Sequence, residues 1–150
     1  MGIKRDKNDA VFSDSIRERD DWTCQRCGRV SVSGQIHGKS REMECSHFYG
    51  RGTGTLNRFG VDNCDTFCKG CHKYFTHRPA EYAAWKLNQL GATRYDWLTR
   101  TAHKVHKRTK AEWKDLYAYY KDWYQKAREK RKEGMRGPLE LIGFDSLVWE

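Results

Sequence analysis

Residues 63–72 read Asn-Cys-Asp-Thr-Phe-Cys-Lys-Gly-Cys-His, and an earlier stretch, residues 24–27, reads Cys-Gln-Arg-Cys. Both stretches contain a Cys-x-x-Cys pair. Two thiolates at this spacing in a tight turn can face one ion, and two such turns complete a tetrahedron. The sequence therefore predicts a structural zinc site formed by Cys24, Cys27, Cys68 and Cys71. A catalytic zinc keeps one position open for water, which four thiolates do not leave.

The composition favours a small, metal-stabilised protein that binds a polyanion. Hydrophobic residues make up 37% of the 150 residues and charged residues 33%, so we expect one domain with a modest core that benefits from a bound metal. Lys and Arg outnumber Asp and Glu by 29 to 20, and this net charge of +9 indicates DNA as the partner. The alternative is a basic helix on a protein that binds no nucleic acid.

The cysteines are expected to be reduced. No apolar run reaches the roughly 20 residues of a membrane span, and the first residues lack the apolar stretch of a signal peptide. We therefore expect a cytoplasmic location without membrane contact, where Cys-x-x-Cys pairs are typical of metal ligands. Cys45 and Cys64 lie outside the two pairs, and we interpret them as small buried hydrophobic residues.

The chain divides into four predicted segments. Residues 1–12 are expected to form a loosely ordered basic leader, residues 13–78 the zinc-bound core, residues 79–133 a basic helical extension and residues 134–150 an apolar tail that docks on an unidentified surface. In the core, Ser15-x-x-Glu18 predicts a capped helix, residues 30–43 a hairpin or irregular loop, residues 44–49 a strand, and Cys71-His72 the start of a helix. The predicted fold class is α+β, with a two-stranded unit followed by a helix.

The extension is predicted to contain three helices. Pro79 and Gly91 frame a helix over residues 80–90, Thr93-x-x-Asp96 begins a second, and Thr109-x-x-Glu112 begins a third that ends near Glu133. The third helix carries one apolar face, whose residues recur every three or four positions: Trp113, Leu116, Tyr117, Tyr120, Tyr124 and Ala127. Such a face serves core packing, base stacking or a homodimer seam.

Three polar residues add chemistry to the zinc-bound core. His47 lies on the predicted strand, where alternation places it on the face opposite Glu44 and Ser46. Asn63-x8-His72 places an amide before a helix and an imidazole on its first turn. An imidazole base, an orienting amide and a second imidazole for a metal ion are the groups that phosphodiester hydrolysis requires.

These residues together resemble the HNH (ββα-metal) endonuclease motif. The chain also resembles the NinG (Rap) family of phage recombination proteins over about residues 15–130. The features that carry this second resemblance are Ile16-Arg17-Glu18-Arg19-Asp20, Cys24-x2-Cys27-Gly28, His47-Phe48, Arg58-Phe59, Asn63, and the second cysteine pair with the helices that follow it. It implies a phage protein that cuts branched DNA intermediates, such as Holliday junctions and D-loops, in the host cell.

The resemblance implies a role for each site residue. His47 would be the general base, Asn63 would orient it or tie the loop before the helix, and His72 would bind a catalytic Mg²⁺ or Mn²⁺. Most HNH enzymes carry an acidic ligand directly before the first histidine, where this chain has Ser46. Glu44 is the expected substitute, and the other candidate ligands are Asp62, Asp65 and His77.

Basic residues are the predicted DNA contacts. Arg51 and Arg58 flank a glycine-rich stretch, where guanidinium groups can grip a phosphate or simply lie on the surface of a flexible loop. The remaining predicted contacts lie on the third helix of the extension: Lys114, Lys121, Arg128 and Arg131.

Two alternatives to a junction-cutting enzyme remain open. One is a general phage or restriction-type HNH nickase, and the other is a zinc-containing DNA-binding module that does not cut. A thiol redox protein is excluded, because both Cys-x-x-Cys pairs are committed to one zinc ion.

Overall fold

The computed structural model describes residues 4–147 of the chain, so the last three residues of the predicted tail lie outside the described part. The elements of this part are α1 (Lys7–Arg19), α2 (Val32–His37), β1 (Met43–His47), α3 (Thr55–Arg58), β2 (Cys64–Cys68), α4 (Lys69–Thr76), α5 (Pro79–Leu90), α6 (Ala92–Thr101) and α7 (Lys110–Lys132). Short 3₁₀ helices cover Val61–Asn63 and Phe144–Leu147. The mixture of helices with one small sheet confirms the α+β class.

The two strands form an antiparallel sheet that separates two packing regions. His47 pairs with Cys64 and Cys45 with Thr66, whereas Glu44 pairs with Phe67. Because successive side chains alternate, Cys45 and His47 face α1, and the Glu44 side of the sheet faces α4 and α5. Two hydrophobic clusters follow this division. The first contains Trp22, Phe67, Phe75 and Tyr82, and the second contains Phe12, Ile16, Phe59, Leu116 and Tyr120.

The first helix begins earlier than the sequence predicts. Asp6 caps α1 by accepting hydrogen bonds from the backbone of Asn8 and Asp9, and the Asp9 carboxylate accepts a bond from the Asp6 backbone. This capping box replaces the expected one at Ser15, whose hydroxyl instead donates to the Val11 carbonyl within the helix. The prediction of a loosely ordered leader over residues 1–12 is therefore wrong from Lys7 onward.

The end of α1 anchors the sheet. The Arg19 guanidinium donates to the carbonyls of Val61 and Cys64, each at 2.8 Å, and forms two bonds with the Asp20 carboxylate. Asp20 in turn accepts the backbone N–H of Thr66 at 3.1 Å. The Arg19-Asp20 pair of the Ile-Arg-Glu-Arg-Asp segment thus holds β2 against α1.

The long helix α7 packs along α1. Its predicted cap is confirmed, because the Thr109 hydroxyl accepts the N–H of Glu112 and the Glu112 carboxylate accepts the N–H of Thr109. Tyr120 is buried against Phe12, with ring centroids 5.0 Å apart, and donates its hydroxyl to the Phe59 carbonyl. The apolar face therefore serves core packing. Since α1 covers it, the expected homodimer seam is not available on this face.

The tail docks on the same two helices. The Leu139 N–H donates to the Arg19 carbonyl, the Trp123 indole donates to the Glu140 carbonyl, and Leu141 is buried in the second hydrophobic cluster. Near the end of the described tail, the Arg108 guanidinium donates two buried charge-assisted hydrogen bonds, of 2.8 and 2.7 Å, to the Asp145 carboxylate. The tail of the described chain is therefore an integral part of the core formed by α1 and α7.

The remaining helices agree with the predictions to different degrees. α5 begins at Pro79 and ends before Gly91, as expected, whereas α6 begins at Ala92 without a side-chain cap. The segment predicted as a hairpin or loop contains α2, capped by Ser31. None of the helices within residues 4–147 has the combination of length and hydrophobicity that crossing a bilayer requires.

Candidate functional site

Four cysteines converge between α1 and α4. Cys24 and Cys27 lie in the turn after α1, while Cys68 ends β2 and Cys71 lies in the first turn of α4. Their four Sγ atoms all lie within 4.8 Å of one another, and those of Cys27 and Cys68 are 3.8 Å apart. A tetrahedral zinc with bonds of about 2.3 Å has S···S edges of about 3.8 Å. This four-cysteine cluster therefore fits a structural zinc ion.

Hydrogen bonds and burial act in opposite directions on the thiols of the four-cysteine cluster. The Arg26 guanidinium donates to Cys71 Sγ at 3.4 Å, and the Cys71 N–H donates to Cys68 Sγ at 3.5 Å. Burial raises the pKa of Cys71 to about 12. Burial also acts to raise the pKa of Cys24, but backbone hydrogen bonds outweigh it and lower the value to about 7. A metal ion would hold all four as thiolates, since a coordinating thiol is deprotonated.

His47 lies at the end of β1 on the side that faces α1. Its Nε2 is 3.0 Å from the Arg58 carbonyl, which can only accept, so Nε2 carries the proton and Nδ1 carries the lone pair. Burial lowers the pKa of His47, the Arg58 carbonyl acts against this, and the charge of Arg51 lowers it further. The imidazole is therefore neutral at pH 7.

Asn63 is fully buried just before β2 and ties Tyr49, which lies two residues after the end of β1, to Asn57 in α3. Its Oδ1 accepts the N–H of Tyr49, and its Nδ2 donates to the carbonyls of Tyr49 and Asn57, all at 2.8 Å. Every part of the amide is thus engaged with backbone. These bonds hold the backbone at Tyr49 and Asn57, and the two roles expected of Asn63, orienting His47 or tying the loop before the helix, stay predictions.

His72 meets Glu44 on the opposite side of the sheet. His72 Nδ1 lies 3.1 Å from Glu44 Oε1, and both side chains are partly exposed. A carboxylate and an imidazole at this distance can share a hydrated divalent ion. His47 lies three residues beyond Glu44 on β1 and on the other face, so the structure does not bring His47 and His72 into contact.

Two of the other candidate ligands, Asp62 and Asp65, are engaged elsewhere. Asp65 accepts a 2.6 Å bond from the buried Lys86, and Asp62 pairs with Arg94. The Ser46 hydroxyl hydrogen-bonds the Tyr82 hydroxyl at 2.9 Å. His77 is exposed at the end of α4. Among these residues the structure brings only Glu44 to His72, so Asp62 and Asp65 are not substitutes for an acidic ligand.

The predicted DNA contacts fall into three groups. Lys114 and Lys121 are exposed on α7. Arg51 and Arg58 converge on the carboxylate of Asp9, at 3.2 and 2.8 Å. Arg128 binds Glu18 and the carbonyls of Gln35 and Ile36.

Arg131 belongs to the protein interior. It is 4% exposed, with Nε 3.2 Å from Glu18 Oε1 and Nη2 2.7 Å from the Glu18 carbonyl. The prediction that Arg131 contacts DNA is therefore wrong, and Arg128 is likewise occupied with intramolecular bonds. A basic residue on a helix can serve the core when a buried carboxylate from another helix faces it, and sequence periodicity does not reveal this.

Asp9 is a site residue that the sequence analysis missed. Burial acts to raise its pKa, but the hydrogen bonds and charge of Arg58 outweigh this and hold the pKa at about 2. Asp9 thereby fixes two arginines beside His47. The Asp6-x-x-Asp9 spacing of a helix start is the signal that would have located this carboxylate.

Comparison with known proteins gives one finding. A family model described as "Bacteriophage Lambda NinG protein" matches residues 4–133. No curated protein and no solved structure matches the chain significantly.

Proposed function

The chain belongs to the bacteriophage lambda NinG family, and we propose that it is a metal-dependent DNA endonuclease with an HNH-type core. The observation that carries this proposal is the unit formed by β1, β2 and α4. It carries His47 at the end of β1, Asn63 just before β2 and His72 on α4, and the four-cysteine cluster that fits zinc joins the end of β2 to α4. A module that only binds DNA has no need for this set of side chains.

In this proposal His47 is the general base. Its Nδ1 lone pair is fixed by the bond from Nε2 to the Arg58 carbonyl, so the ring can take a proton from an attacking water without changing tautomer. The lowered pKa keeps the base unprotonated at neutral pH. The rate of cutting should therefore increase as the pH rises through this pKa and then level off.

Glu44 and His72 would hold the catalytic Mg²⁺ or Mn²⁺. One carboxylate and one imidazole leave several positions for water and phosphate oxygens, as these ions prefer. When bound, the ion supplies charge neutralisation at the scissile phosphate. Asn63 holds the backbone of Tyr49, two residues beyond His47, and so keeps the end of β1 in place.

The two faces of β1 carry the two halves of the candidate site. The His47 side chain points to one face, and the Glu44 side chain, which contacts His72, points to the other. The edge of β1 away from β2 has no strand partner within residues 4–147. We therefore propose that the scissile phosphate crosses this edge, between the two faces.

Arg51 and Arg58 would position the phosphate near His47. Arg58 lies 2.8 Å from the Asp9 carboxylate and 3.3 Å from that of Asp6, and Arg51 lies 3.2 Å from Asp9, so both guanidinium groups are held in place beside the base. The same two arginines line a cavity of about 200 Å³ that extends to Trp113. Guanidinium groups held in place lose less side-chain entropy on binding phosphate than free ones.

The family supports a more specific substrate and place of action. The resemblance of the chain to this family implies that its substrates are branched recombination intermediates, such as Holliday junctions and D-loops. The protein would cut them inside the bacterial host cell. A homodimer would place two active sites on a two-fold junction. A general phage or restriction-type nickase is the alternative within the nuclease class.

A zinc-built DNA-binding module is the second candidate function. It is favoured by the position of His47 and His72 on opposite faces of the sheet, and by Ser46 at the place where HNH enzymes usually carry an acidic ligand. In this case the four-cysteine cluster and the basic surface would bind DNA, and the histidines would take no part in chemistry.

One cleavage experiment separates these functions. Labelled four-way junction and matched linear duplex are incubated with the full chain and Mg²⁺, Mn²⁺ or no added divalent ion. His47→Ala is compared with His77→Ala, which changes an exposed histidine outside the site. We expect metal-dependent cutting that favours the junction and is lost only in His47→Ala. Equal cutting of both DNAs would indicate a general nickase, and binding without cutting in every metal would indicate the binding module.

A further inference from the structure

A second group of metal-ligating side chains lies beside the general base. Cys45, His47 and Cys64 each offer a ligand atom, and these three atoms lie within 4.8 Å of one another. This three-residue cluster shares no residue with the four-cysteine cluster. The sequence analysis interpreted its two cysteines as simple hydrophobic residues, because only the sheet brings them to the histidine.

The strand register explains the convergence. His47 pairs directly with Cys64 across the sheet, and Cys45 precedes His47 by two residues, so all three side chains point to the side that faces α1. Directly paired side chains have Cβ atoms about 5 Å apart. The ligands therefore come from two strands that the antiparallel ladder holds in place.

The orientation of His47 prepares it for a metal ion. Histidines that bind metals usually donate their other ring N–H to a carbonyl or carboxylate, which fixes the tautomer. The Arg58 carbonyl has this role toward Nε2 at 3.0 Å, and the lone pair is therefore on Nδ1. The same bond that suits a general base also suits a metal ligand.

We propose that Cys45, His47 and Cys64 bind a thiophilic divalent cation of the Zn²⁺ class. Three protein ligands leave one tetrahedral position open, as in catalytic or exchangeable zinc sites. Thiolates favour such ions over Mg²⁺ and Mn²⁺, which prefer oxygen ligands. The two thiols release their protons to solvent on binding, and two thiolates balance the charge of the ion. A buried site favours a complex without net charge, because burying a charge is costly, and Cys64 is only 1% exposed.

Occupancy of this site regulates the nuclease, and this consequence rests on the proposed function. A cation on Nδ1 takes the lone pair that His47 needs as a base. Zinc beyond the first equivalent therefore inhibits cutting, whereas the zinc of the four-cysteine cluster does not. The catalytic base and the second zinc compete for one nitrogen atom.

Metal stoichiometry tests the site without relying on cleavage. The full chain is titrated with Zn²⁺, and bound metal is measured after removal of free ions. We expect two equivalents in the wild type and one in Cys45→Ala/Cys64→Ala. His47→Gln, which keeps both thiols, should also bind one equivalent at the same concentration. Circular dichroism establishes that each variant is folded. Co²⁺ added after the first zinc should give the thiolate charge-transfer absorption of a sulfur-containing site in the wild type alone.

Two results would overturn the proposal. One is a single equivalent in the wild type under excess zinc, and the other is two equivalents retained in the folded double variant. The nuclease is judged separately, by cutting with one equivalent of zinc and excess Mg²⁺. A protein that binds two equivalents but never cuts supports the second site and refutes the nuclease. A protein that cuts but binds only one equivalent of zinc supports the nuclease and refutes the second site.

Discussion

Arg131 offers the sharpest test of how the structure assigns the basic residues of α7. Its guanidinium makes bonds to the Glu18 carboxylate, the Glu18 carbonyl and the Met135 carbonyl, and it lies 3.5 Å from Asp21. Arg131→Ala leaves the fully buried Glu18 with fewer partners. Removing one member of a buried ion pair costs about 3–5 kcal/mol. Glu18 retains Arg128 and the Trp22 indole, so we expect a loss at the lower end of this range, about 3 kcal/mol.

The assay is thermal unfolding with zinc bound, together with DNA affinity as a function of salt. For a chain of this size, about 3 kcal/mol corresponds to a fall in Tm of roughly 10 °C. Lys130→Ala is the matched control, because Lys130 is the adjacent basic residue and is exposed, so its Tm should change by less than about 2 °C. The reasoning is refuted if Arg131→Ala unfolds at the wild-type temperature while its DNA binding loses salt dependence, since Arg131 would then contact phosphate.

Three further predictions concern zinc, acid and salt. Cys68→Ser should lose the zinc of the four-cysteine cluster and unfold the core, because a structural zinc contributes about 10 kcal/mol to the free energy of folding. Bound metal and circular dichroism measure the two losses. A variant that stays folded and zinc-loaded would contradict the prediction. The pKa of Asp9 is depressed to about 2, so its pairing with Arg58 stabilises the fold fully above about pH 4, and this stabilisation is lost as the pH falls toward 2. The loss should amount to about 2 kcal/mol. Unfolding measured against pH should show this loss in the wild type but not in Asp9→Asn. Lys114→Ala and Lys121→Ala should each reduce the slope of log affinity against log salt by about 1 without changing Tm, and an unchanged slope would remove that residue from the DNA interface.

The candidate site could be predicted from the sequence only in part. The Cys-x-x-Cys pairs and the Asn63-x8-His72 spacing lie within short segments, so their residues were found directly. Alternation along β1 already indicated that His47 and Glu44 face opposite ways. Alternation did not indicate which elements cover each face. It therefore could not predict that His47 lies beside Cys64 or that Glu44 lies beside His72.

The arginines illustrate the limit more clearly. Arg131 and Lys130 are neighbours on one helix and carry the same charge, yet one is buried against Glu18 and the other is exposed. Their difference depends on how α1 and α7 pack, because a rotation of one helix by a single residue would exchange them. Glu18 precedes Arg131 by 113 residues, and no local pattern links the two.

The sequence by itself determined the features that arise within a few residues: the two cysteine pairs, the Thr109-Glu112 cap of α7, the helix framed by Pro79 and Gly91, and the net positive charge. Bond geometry and local hydrogen bonding are sufficient for these. Only the tertiary structure decided the docking of the tail, the burial of Arg131 and the meeting of His47 with Cys45 and Cys64. Each of these brings together residues from separate elements, and their positions depend on packing over the whole core.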